Sequence, residues 1–242
     1  MANLPYKERP TRFPKGSTNN DPRHTLGRVK FQDPHKSAVY ASDFHTFASG
    51  DWTATTVGTG TNALVAGDGG ILAMVTSAAA ADSNILTKLP AAFTMVAGYQ
   101  NWFRISLNLS DATNTQMIAG FVNAITTYTP TDGIFFSKAD GSTTIVGNFS
   151  VGSVNTTVTL PSTVAANATQ IVLGAHYDGD SKIQFFVNDA VVASLAVSSS
   201  ALPAVNLTPA FGVKSGAAAG IKTMNVDLVL AAKDRADLIF MN

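Results

Sequence analysis

The chain has 242 residues, of which 45% are hydrophobic and only 13% charged, with 16 basic residues balancing 16 acidic ones and no cysteine. That length and apolar content suffice for one large domain or two small ones, and the absence of cysteine excludes a disulfide framework, thiolate catalysis and cysteine-ligated zinc. Glu8 is the sole glutamate, and the Thr, Val, Ser, Asn, Gly and Phe that dominate instead favour strands and tight turns over helix interiors. The reading is an all-β protein.

Met1 to Pro10 has no apolar run behind its first charges, and no later stretch offers the roughly 18 uninterrupted apolar residues of a membrane span. The expectation is a protein without a secretory signal or a membrane partner, made in a cytoplasm and kept there or in a particle assembled there. Asn-X-Ser/Thr triplets at Asn108, Asn148, Asn155, Asn167 and Asn206 are then by-products of Asn- and Thr-rich strands.

Residues 1–40 read as an extended N-terminal arm. They hold eight of the basic residues, three of the acids and five of the ten prolines, so their net charge is +5 while the remainder carries −5. Prolines at that spacing forbid a long helix and the centre of a sheet. The arm cannot fold alone. It is either a tail or a segment that orders on a partner, with Tyr6, Phe13, Phe31 and Tyr40 as aromatic anchors and Arg9, Arg12, Lys15, Arg23, Arg28 and Lys30 meeting an acidic surface. The basic residues are too dispersed to resemble the dense clusters that bind nucleic acid.

Residues 41–242 read as one β-sandwich domain. Gly67-Asp68-Gly69-Gly70 marks a turn. Phe103, Ile105, Leu107 and Leu109 alternate with Arg104, Ser106 and Asn108, which puts the first set inward and turns Trp102, of the opposite parity, outward. Asp140-Gly141 and Asp178-Gly179-Asp180 mark reversals. The same two-residue period recurs at Ile171, Leu173, Ala175 and Tyr177, at Ile183, Phe185 and Val187, and at Met224, Val226, Leu228 and Leu230. Asn188-Asp189 sits where a tight hairpin turn belongs. Roughly a dozen strands fit, enough for two stacked antiparallel sheets.

From Ile171 onward the chain resembles the C-terminal half of a concanavalin A-like or laminin G-like jelly roll. The residues that carry the likeness are His176-Tyr177-Asp178, the run IQFFVNDAVVASL from Ile183 with its Asn188-Asp189 hairpin, LTPAFGV from Leu207 with Pro209 and Phe211, and MNVDLVLAAKDR from Met224 with Asp227 mid-strand. Cysteine-free versions with Ala/Thr/Gly-rich strands are similar to virion structural proteins of tailed bacteriophages that decorate or cement the capsid.

Glycoside hydrolases of that fold resemble one another in using paired glutamates, and a two-carboxylate mechanism needs both acids in one cleft. Residues 41–242 contain no Glu, and Asp227 stands between Val226 and Leu228. His45 and His176 lack a nucleophile-elbow pattern and have no partners at metal-ligand spacing. Asp178 and Asp180 could hold calcium through hard oxygen ligands, but a full site needs about six or more, so the turn reading is preferred. Trp52, Tyr99, Trp102, Tyr128 and Tyr177 would stack on sugar if exposed together, and core packing is their default.

The function expected is therefore non-enzymatic, with no cofactor and no metal. It is capsid decoration, with the arm fastening a jelly-roll body to the major capsid protein on the outside of a phage head, and with self-association into a trimer or, next, a dimer. The alternative is a lectin-like module of a phage tail or fibre that recognises a host glycan through Trp102, with Asp178 and Asp180 nearby.

Overall fold

A computed structural model describes residues 37–123 and 125–235. Fifteen strands and one 3-10 turn at Ser49–Asp51 make up its regular structure. Among these residues no helix is long and apolar enough to cross a membrane. The arm residues Tyr6, Arg9, Arg12, Phe13, Lys15, Arg23, Arg28, Lys30 and Phe31, expected to contact a partner, lie outside the described residues.

The strands form two antiparallel sheets, as the alternating pattern requires. One holds eight strands: β13 (Ala190–Ala196), β12 (Lys182–Val187), β11 (Ile171–Tyr177), β6 (Asn101–Leu109), β15 (Thr223–Asp234), β4 (Ile71–Val75) and β3 (Thr61–Val65) in that order, with β1 (Ser37–Ser42) beside β15. The other holds seven: β10 (Val154–Val164), β9 (Thr144–Val151), β8 (Gly133–Lys138), β7 (Thr115–Val122), β14 (Thr208–Ser215), β5 (Ser83–Lys88) and β2 (Trp52–Val57). Ser37–Tyr40, which composition assigns to the arm, belong to β1. Ser37 pairs with Asp234 and Ser42 with Val229, and Tyr40 packs edge-on against Trp52 at 6.1 Å.

The core lies between the sheets. Phe103, Ile105, Leu107 and Leu109 on β6 point into it, as do Leu173, Ala175 and Tyr177 on β11 and Ile183 and Phe185 on β12. Phe121, Phe136, Ile145, Phe211 and Val213 meet them from the seven-stranded sheet. Phe136 and Phe185 touch across the interface in a T-shaped pair at 5.5 Å. Burial on this scale drives the association of the sheets, at about 25 cal/mol per Å² of apolar surface removed from water.

The last strand departs from its simple alternation. The register between β15 and β6 shifts between Val226 and Leu228, so Met224 and Val226 are buried before the shift and Val229 and Ala231 after it. Asp227 is the extra residue of a bulge, where an additional residue reverses the phase of every side chain that follows. Leu228 and Leu230, expected inward with Val226, are only partly buried. Asp227 accepts a hydrogen bond from Ser106 Oγ at 3.3 Å, a partner available because both residues lie on the outer side of the sheet.

Candidate functional site

Each sheet has an outer face, and the two differ. On the eight-stranded sheet the outward row of β6 is Trp102, Arg104, Ser106 and Asn108. Register places Trp102 between His176 on β11 and Ala232 on β15, and Arg104 between Gly174 and Leu230. Next to Gly174 comes Phe186 on β12. The result is a hollow of about 300 Å³ walled by Trp102, His176, Phe186, Val172 and Leu230, with Gly174 as its floor.

The indole of Trp102 and the imidazole of His176 lie parallel, 5.2 Å apart and 9° from coplanar. A hydrogen bond of 2.8 Å between His176 Nε2 and Gln100 Oε1 fixes the imidazole. Burial lowers the His176 pKa, against the opposing pull of the Gln184 amide and the Asp178 and Asp234 carboxylates, which favours the neutral ring. At the rim, Arg104 Nη2 lies 3.0 Å from Asp189 Oδ1 and 3.1 Å from Oδ2. Asp189 is presented by the hairpin turn, where Asn188 and Asp189 both have positive φ, 48° and 67°, the geometry of a type I′ turn. Arg104 Nε is buried and has no hydrogen-bond partner among the described residues.

The seven-stranded sheet has an apolar outer centre, formed by Ile85, Ile118, Val122, Phe135 and Ala210. Segment 125–132 crosses it as a strap. Ile125 and Tyr128 pack on the patch, Tyr128 donates to the Asn84 carbonyl at 3.5 Å, and Thr87 Oγ1 donates to the Ile125 carbonyl at 3.5 Å. Gly212 makes room for this: a Cβ there would stand 3.1 Å from the Tyr128 hydroxyl and 2.9 Å from Ile85 Cγ1. Burial raises the Tyr128 pKa well above its ordinary value.

Beside the strap runs a cleft of about 680 Å³ lined by Gln116, Ser137, Asn148, Ser150 and Asn155, with the Tyr128 and Phe135 rings on one side. Asn148 is held from within, donating to the carbonyls of Phe135 and Val146 and to Ser137 Oγ, and accepting from Asn155 Nδ2 at 3.1 Å. Lys138 closes one end, with Nζ donating to the carbonyls of Ala139 at 3.0 Å and Ser142 at 2.7 Å. Burial brings its pKa down to about 8, against the pull of Asp140 and Asp111.

Of the residues singled out from the sequence, Trp102 is half-buried on the outer face, as its parity requires. Trp52 and Tyr177 are in the core. Asp178 Oδ1 accepts the amide N–H groups of Asp180, Ser181 and Lys182 at 2.9, 3.0 and 3.0 Å. These amides outweigh the opposing effect of burial and hold the Asp178 carboxyl below its ordinary pKa. The carboxylate is thus the staple of its turn, and the acid that borders the Trp102 hollow is Asp189. No cluster of three or more His, Asp or Glu side chains suited to a metal occurs among the described residues.

No protein-family model matches the chain, and no curated protein does. Solved structures do match. An endo-1,3-beta-glucanase from Streptomyces sioyaensis is 12% identical over 84% of this chain and 98% of its own, with a TM-score of 0.62. The fold is a concanavalin A-like jelly roll. A carbohydrate esterase from the Shiga toxin-encoding bacteriophage phi24B matches at 13% identity over 82% of this chain and 97% of its own, TM-score 0.52. The carbohydrate recognition domain of Emp47p matches at 10% identity over 85% of this jelly-roll chain and all of its own, TM-score 0.55.

Proposed function

We propose that the protein is a non-catalytic, lectin-like module that binds an oligosaccharide along the outer face of its seven-stranded sheet. The observation that carries this is the lining of the cleft: neutral amides and hydroxyls from Gln116, Ser137, Ser150 and Asn155 beside two aromatic rings, with Lys138 at one end as the one charged side chain and no carboxylate among the lining residues. Sugar hydroxyls both donate and accept, which Asn, Gln and Ser side chains answer in kind. Hydrolysis by the two-carboxylate route needs an acid and a second carboxylate at the cleaved bond, and this cleft supplies neither. The likeness to carbohydrate-active and carbohydrate-recognition folds adds support of a general kind. The test is a glycan array followed by the Gln116→Ala/Asn155→Ala pair. Loss of array signal by at least about tenfold without loss of fold is the expected outcome, and an unchanged signal overturns the cleft.

A second reading, capsid attachment, is favoured by the charge split between residues 1–40, net +5, and the acidic remainder. In it the arm contacts a major coat protein at a phage head surface and several self-associated copies supply avidity. Quantitative mass spectrometry of purified particles tests it. A copy number of the order of the coat protein's supports decoration, and absence from particles removes it.

A further inference from the structure

We propose that the hollow on the eight-stranded sheet is a second, independent carbohydrate site. It takes one neutral sugar ring, packed by its apolar face on Trp102 with two adjacent hydroxyls on the Arg104–Asp189 pair. The ligand class rests on the carbohydrate reading above, while the site shares no residue with the cleft and lies on the other sheet.

Four observations converge on it. Trp102 is held in place by the stack of one indole face on His176, itself fixed by Gln100, so the platform is formed before any ligand arrives and little ordering remains to be done on binding. The floor is kept open without structural need. A Cβ on Gly174 would meet Phe186 Cβ at 3.4 Å and the Phe103 carbonyl at 3.7 Å, ordinary contacts, so an alanine fits the fold and only the hollow is lost. Arg104 and Asp189 together present donors and acceptors with no net charge, which suits vicinal hydroxyls; an anionic ligand would meet Asp189 and a cationic one Arg104. Finally, the buried Arg104 Nε–H lacks an acceptor among the described residues, and a small shift of the guanidinium on binding would give it one. A volume of about 300 Å³ is at the small end of ligand sites and matches a single ring.

The experiment titrates the full chain with methyl mannoside, methyl glucoside, methyl galactoside and methyl glucuronide, following the indole N–H signals in a ¹H–¹⁵N spectrum. The chain has two tryptophans, and Trp52 is buried in the core. Saturable shifts of the Trp102 signal by at least one neutral glycoside, with a millimolar dissociation constant, about 1–10 mM, are expected. Gly174→Val and Arg104→Gln should each weaken binding at least about tenfold with the remaining spectrum in place, and Gln116→Ala/Asn155→Ala should not. No shift from any neutral glycoside, or tighter binding of the glucuronide, overturns the proposal. If oligosaccharides bind and only the cleft variants weaken them, the hollow falls and the cleft reading stands. If only the hollow variants weaken them, the reverse holds.

Discussion

The two outer faces are built from the same kind of strand and have opposite fates. The seven-stranded face puts Ile85, Ile118, Val122 and Phe135 outward and then covers them with its own strap. The eight-stranded face puts Trp102, Leu230 and Phe186 outward and leaves a hollow among them. Burying an apolar patch under a loop turns it into a small second core. Leaving one open with a charged pair at the rim has a cost in water and a use only if something docks there. Glycines show which regime a face belongs to. At Gly120 an added Cβ would lie 2.3 Å from Phe135 Cβ and 2.6 Å from the Ile134 carbonyl, whereas at Gly174 it would meet nothing closer than 3.4 Å.

The sharpest way to break the contrast is therefore a matched pair of substitutions. Gly120→Val should destabilise by about 3 kcal/mol or more through overpacking, and Gly174→Ala by less than about 1 kcal/mol, in urea unfolding. Equal losses would mean the faces are not differently packed. A second pair removes the aromatics. Tyr128→Ala should cost about 2–3 kcal/mol in the same unfolding measurement, while Trp102→Ala, half-exposed, should cost about 1 kcal/mol and act on sugar binding instead.

pH separates the faces more gently. The Lys138 pKa is lowered, so between about 8 and its ordinary 10.5 the unfolded chain binds more protons than the folded one, and stability rises with pH across that window. Lys138→Met should flatten the rise. His176 is likewise lowered, so as pH falls below its ordinary 6.5 the unfolded state protonates first and stability declines. His176→Gln should remove that part of the decline. The smallest effect is at the hairpin: Asp189→Gly relieves positive φ in the turn and should stabilise by up to about 1 kcal/mol while weakening sugar binding, so stability and affinity would move in opposite directions.

Much of this was legible in the sequence where the signal is local. The alternation from Phe103 to Leu109 states the inward face of β6, turns Trp102 outward, and holds in the fold. Asn188-Asp189 names its own turn because few other residue pairs tolerate two positive φ values. The partners of Trp102 were not legible. His176 reaches it through a strand register set by distant turns and the shared core, and Asp189 reaches Arg104 by the same route. Period-two reasoning carried Leu228 inward because it has no term for a bulge, although Asp227, a lone acid inside an apolar strand, marks the spot. The strap was invisible for another reason: Ile125 and Tyr128 sit in a segment with no period, and what makes them pack is the bare outer face of another part of the chain.

The pairing of Ser37 with Asp234 has a mechanical consequence. Among the described residues the first and last strands lie side by side, antiparallel, with Ser37 and Asp234 at the same end. Hydrogen bonds in such a pair run perpendicular to the strands, so a force pulling these two ends apart loads the bonds one at a time, as a zipper opens. Tension applied there would peel β1 from β15 bond by bond, with the Tyr40 contact to Trp52 the side-chain packing that must also give way. A load applied between the residues flanking Ser37 and Asp234 would therefore meet this seam first.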